Sequence, residues 1–141
     1  MLVFVIFTGC SHKGKLRGLV PCCGTVTLDG TVVADAQVLF LPVQESLRVA
    51  SGKTNAQGQF VLSSLTTNDG IMPGEYCVTI IRIEKTGTVR KPVINEFGES
   101  VMPPPETRNV LPERYADKTT SDIKVTVPAS GDKNIKIELS Q

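Results

Sequence analysis

The sequence predicts an all-β fold, an antiparallel β-sandwich of seven short strands. Three observations predict it. Twelve Gly and nine Pro punctuate the 141 residues, which divides the chain into strands and turns and leaves no helix of useful length. Several runs alternate apolar and polar residues with the two-residue period of a half-buried strand. Asp-Gly, Asn-Asp-Gly and Pro-Gly sit between those runs, where tight turns belong. The length suits one domain with a real core. Apolar content of 40% and charged content of 21% are ordinary for a globular chain.

The head of the chain is different in kind. Leu2 to Phe7 is an unbroken apolar run that ends Phe7-Thr8-Gly9-Cys10-Ser11. It is too short to span a bilayer, which takes about 20 apolar residues. It is also short for a signal-peptide core of about 7–15, and no Lys or Arg precedes it. Small residues just before a cysteine at the end of an apolar run resemble the lipobox of bacterial lipoproteins, with Phe7 where that motif usually has Leu. There the small residue serves the cleaved bond and the cysteine thiol takes acyl chains. The resemblance implies that residues 1–9 are the stub of an export signal, with the true start upstream. It makes Cys10 the lipidation site and residues 10–20 a solvated tether. The expected location is the cell envelope, in a membrane-anchored lipoprotein facing the periplasm or the exterior.

The folded domain is expected over residues 21–141. Gly24 to Leu28 alternates, with Val26 and Leu28 on one face, and Asp29-Gly30 then makes a tight turn into Thr31-Val32-Val33. Gln37 to Pro42 reads as a second strand, rich in β-forming residues. Val49 to Thr54 and Gln59 to Ser63 flank Asn55-Ala56-Gln57-Gly58 and read as a hairpin. Glu75 to Ile83 is the longest strand, with Tyr76, Val78 and Ile80 on one side and Cys77 and Thr79 on the other. Glu84 to Ser121 reads as a long Pro-rich connection, containing Pro103-Pro104-Pro105, of the kind that is functional or mobile. Ile123 to Val127 and Asn134 to Leu139 close the chain as strands, Ile135, Ile137 and Leu139 alternating with Lys136 and Glu138.

The ordered set GTVTLDG, AQVLFLP, SGKTNAQGQFVL, PGEYCVTI, LPERYADKTTSDIKVTV and NIKIEL resembles the carboxypeptidase regulatory-like domain, of transthyretin-like fold, as it occurs in small bacterial lipoproteins. The resemblance runs from about Pro21 to Leu139. It implies a seven-stranded sandwich, secreted and lipid-anchored, with no activity assigned to the family as a whole. This chain departs from it at Cys22-Cys23, where such proteins commonly carry a Val-Ser pair. Strand alternation turns Cys22 inward with Gly24 and Val26, and turns Cys23 and Cys77 outward. In a transthyretin-like topology the two strands resemble members of opposite sheets, so Cys23 and Cys77 stand too far apart to bridge. Cys22 with Cys77 is then the candidate disulfide, at the expense of a bulge or a rotated strand end. With Cys10 acylated, three cysteines remain and at least one thiol stays free or pairs outside the chain.

Composition narrows the function classes. A net charge of +1 leaves no footprint for nucleic acid. With no Trp, two Tyr and five Phe, the chain lacks a platform for stacking sugars or bases. His12 is the only histidine and no Cys-x-x-Cys pair occurs, so no metal site and no cofactor are expected. Hydroxyisourate hydrolase shares the transthyretin-like fold, but its histidines, arginine and Tyr-Arg-Gly-Ser tail have no counterpart in a chain ending Glu138-Leu139-Ser140-Gln141. Glu96, Glu99, Glu106 and Glu113 fall in the long connection without the geometry that acid–base catalysis needs. Asp29-Gly30 and Asn68-Asp69-Gly70 read as turns and not as calcium loops. Leu111-Pro112-Glu113-Arg114-Tyr115 reads as an anchor, with Leu111 and Tyr115 pinning the connection to the sandwich. The expected function is a non-enzymatic binding or spacer module held by its lipid at a membrane, with an envelope protein as partner. The alternative is a structural subunit of a larger cell-surface assembly, docking through a sheet edge or the 84–121 segment.

Overall fold

The computed structural model describes residues 18–88 and 90–141. The signal stub 1–9, Cys10 and His12 lie outside the described residues, as does most of the tether. β1 (Cys22–Leu28) and β2 (Thr31–Val32) are joined by Asp29-Gly30. Both turn residues have positive φ, 49° and 83°, the backbone of a two-residue hairpin turn that Asp-Gly accommodates. Alternation along β1 puts Cys22 and Val26 in the core, as expected. β1 is the centre of a four-stranded sheet. β2 and β5 (Gln59–Val61) pair antiparallel with it, and β12 (Asp132–Leu139) pairs along its other edge.

The β1–β12 pairing is parallel, which corrects the expectation of a wholly antiparallel sandwich. Alternation of Ile135, Ile137 and Leu139 settles which side chains turn inward, not which way the strand runs. Parallel neighbours need a long crossover, and here the rest of the domain is that crossover. The two backbones approach so closely that a Cβ on Gly24 would lie 2.3 Å from the Ile135 carbonyl oxygen. The register slips between Cys22 and Gly24.

The second four-stranded sheet runs β11 (Lys124–Val127), β6 (Gly74–Ile81), β3 (Gln37–Pro42), β4 (Ala50–Lys53), all antiparallel. The two sheets share one core, as in a β-sandwich. Val26, Phe60, Ile135, Ile137 and Leu139 come from the first, and Val38, Phe40, Tyr76, Val78 and Ile80 from the second. Phe40 packs against Phe60 of the opposite sheet with ring centroids 6.2 Å apart, and against Tyr76 of its own at 6.0 Å. Each such side chain contributes about 1.5–3 kcal/mol by leaving water. The Tyr76 hydroxyl donates to the Met72 carbonyl at 2.8 Å, a corner tie of the kind that fixes strand entry in sandwiches.

Four further expectations are corrected. The stretch 49–63 is not a hairpin within one sheet: β4 joins β3, whereas β5 joins β1. The chain crosses from sheet to sheet at the Asn55–Gln59 turn, and Ser51 and Ser63 exchange backbone hydrogen bonds at 2.9 Å across the divide. The long strand 75–83 breaks at Arg82, whose backbone N–H turns aside to the Asn109 side chain at 3.0 Å. Residues 84–121 are not structureless. They hold most of β7 (Ile83–Lys85), which pairs with β10 (Thr107–Asn109), and the two-stranded β8 (Val93–Ile94) and β9 (Ser100–Val101), followed by a 3-10 turn, Glu113–Tyr115. Twelve strands therefore stand among the described residues where seven were expected. Cys77, expected to face out, does sit on the outer face of its sheet, yet it is only 6% exposed because residues 118–121 cover it.

Candidate functional site

The sequence-derived site residues do not converge. Cys10 lies outside the described residues. Cys22 and Cys77 are free thiols on strands of opposite sheets, one turned into the core and the other away from it. The Cys22 sulfur accepts the Asp132 N–H at 3.3 Å. Burial pushes its thiol above the ordinary value, against the lowering effect of that hydrogen bond, which keeps it protonated and unreactive. The Cys77 sulfur faces the Lys118 carbonyl at 3.6 Å and the Ser121 carbonyl at 3.8 Å. Among the described residues no three His, Cys, Asp or Glu side chains gather as a metal site would require. Glu96 and Glu99 flank the tip of a hairpin, Glu106 pairs with Arg90, and Glu113 opens the 3-10 turn. No helix among the described residues is long and apolar enough to cross a membrane.

What the structure assembles instead is an arm. β8 and β9 pair with each other and with no other strand, Val93 opposite Val101 and Ile94 opposite Ser100. The turn between them is built by Asn95, whose side-chain oxygen accepts the N–H of Phe97 at 3.0 Å and of Glu99 at 2.9 Å. Gly98 supplies the positive φ of 79°. Asn55 makes the same turn between sheets, accepting from Gln57 and Gln59, with Gly58 at φ 75°. The shared pattern Asn-x-x-Gly-Gln/Glu was therefore a readable signal for this second hairpin. The side chains it carries are apolar and in water: Phe97 at the tip is 80% exposed, Ile94 68% and Met102 66%, with Val93 also exposed.

The root of the arm is fastened. Arg90 forms an ion pair with Glu106, and Thr88 adds a hydroxyl contact. The Arg90 hydrogen bond and charge hold the Glu106 carboxyl below its usual range. Asn109 accepts the N–H of Arg82 at 3.0 Å and of Leu111 at 3.2 Å. Leu111 and Tyr115 are buried, which is the anchor expected of this motif. The Tyr115 oxygen accepts the Ser140 N–H at 3.0 Å and the Arg114 guanidinium at 2.9 Å, while that guanidinium lies 4.7 Å from the ring centre. Burial alone would raise the Tyr115 pKa, but those donors and the Arg114 charge outweigh it and lower it. The 84–121 segment is thus held at both ends and presents an apolar tip between them.

A second feature lies on the outer face of the second sheet. An open groove of about 610 Å³ is lined by Val43, Cys77, Thr119 and Ser121, with Lys118 and Lys124 among its walls and Asp122 beside them. The Lys118 ammonium reaches the Pro42 carbonyl at 3.4 Å. No family model matches this chain, and no curated protein or solved structure matches it either.

Proposed function

We infer that this protein is a non-enzymatic interaction module of the cell envelope, anchored by lipid at Cys10 and docking through the 84–121 arm. The observation that carries this reading is the β8–β9 hairpin. It buries nothing of its own, yet Asn95 builds its turn and the Arg90–Glu106 pair fastens its root around an exposed Phe97. Exposed apolar groups gathered on one projection mark interaction surfaces, where scattered single ones do not. The lipobox resemblance at Phe7-Thr8-Gly9-Cys10 supports the anchor. The frame is a transthyretin-like, carboxypeptidase regulatory-like sandwich. The strands β1, β3, β4, β5, β6, β11 and β12 carry the residues on which that resemblance rests.

This reading takes the subunit alternative over a plain spacer, because a spacer has no use for an aromatic tip. The full chain expressed in cells tests both parts. Cys10→Ser is expected to move the protein from the membrane to the soluble fraction, and continued membrane association overturns the anchor. A photoreactive residue replacing Phe97 is expected to give a discrete adduct in intact cells, and its absence overturns the docking role.

A further inference from the structure

The arm tip and the outer groove are complementary in charge. Phe97 projects between Glu96 and Glu99, all three exposed. Glu99 accepts a hydrogen bond from Asn95, and neither carboxylate makes an ion pair among the described residues. The groove offers Val43, 54% exposed, as its apolar contact, with Cys77 beneath the cover of residues 118–121. Lys118 and Lys124 flank it, also exposed and without an ion-pair partner among the described residues. Asp122 is the one carboxylate on its wall, so the lining keeps a net positive charge. None of the arm's residues lines the groove of its own chain.

We propose that the groove receives the arm tip of a second copy of this chain. Phe97 seats against Val43, and Glu96 and Glu99 face Lys118 and Lys124. The arrangement is head to tail, because the donating and accepting surfaces differ. Such a contact repeats into rings or filaments and does not close as a twofold dimer. A single aromatic knob makes a small interface, and small interfaces bind weakly. Confinement to a membrane plane raises the effective concentration of neighbouring copies and so offsets that weakness. The inference rests on the docking role assigned to the arm and names its occupant.

The test is sedimentation of the full chain in density-matched detergent at low salt, with two charge reversals at exposed positions. Wild-type protein is expected to associate as concentration rises. Glu96→Lys with Glu99→Lys, and separately Lys118→Glu with Lys124→Glu, are each expected to weaken that association about tenfold or more, since like charges then meet. Mixing the two variants restores opposite charge at every contact and is expected to restore association. Wild-type protein that stays monomeric, variants that associate like wild type, or a mixture that does not recover each overturn the proposal. A Phe97 photo-adduct with a different protein also overturns it, while leaving the docking role intact.

Discussion

Asp69 shows how much one side chain can organise. Its carboxylate accepts the N–H of Ser64 at 2.7 Å and those of Leu65 and Thr66 at 3.0 Å, so the Asn68-Asp69-Gly70 loop is tied back on itself. Partial burial alone would raise its pKa, but the hydrogen bonds from Thr66, Ser64 and Leu65 outweigh it and hold the carboxyl below its usual range. A depressed carboxyl stabilises the fold above its unfolded pKa of about 3.9 and loses that contribution as pH falls through the folded value. Asp69→Ala is therefore expected to lower stability at neutral pH by about 1–3 kcal/mol. Urea melts at a series of pH values check this: the gap between wild type and variant should close below about pH 4. A gap that persists in acid means the charged form is not what the loop uses. The loop was legible as a turn from Asn-Asp-Gly, whereas its three donors, three to five positions away, come together only when the loop closes.

At the scale of elements, legibility followed strand length. β1, β3 and β12 span six to eight residues, enough for alternation to identify both the strand and its inward face. β8 and β9 have two residues each, too few for any period, so the arm read as a structureless connection. Its turn carries the information its strands lack. Asn95→Ala removes the acceptor for the Phe97 and Glu99 amides, each bond being worth about 0.5–1.5 kcal/mol. Hydrogen exchange should then quicken at those amides by about tenfold, with the core melt unchanged because the arm adds nothing to the core. Unaltered exchange there would place the hairpin's order in its strands and not in its turn. The 49–63 stretch failed for another reason. Its two strands and turn were visible, but the sheet that each strand joins depends on neighbours distant in the sequence.

For the whole molecule, the three described cysteines report on different layers. Cys23 is partly exposed, Cys77 is covered only by residues 118–121, and Cys22 lies between the sheets. Reaching Cys77 requires local lifting of its cover, while reaching Cys22 requires the sheets to part. Alkylation followed by peptide mass mapping in rising denaturant should therefore label Cys23 first, Cys77 next and Cys22 only with global unfolding. Labelling of Cys22 under native conditions would contradict its packing between the sheets.

The sequence by itself determined the all-β class, the Asp29-Gly30 turn, the inward Cys22 and Val26, and the Leu111–Tyr115 anchor. These depend on local backbone preference and on the two-residue alternation of strands, which act between near neighbours. Only the tertiary structure decided that β12 runs parallel to β1, that β4 and β5 part into different sheets, and that residues 118–121 roof Cys77. It alone set the β8–β9 arm out in solvent. Each of these depends on which distant backbone supplies the hydrogen-bond partners and which distant side chain fills the neighbouring space, and alternation within one strand carries neither.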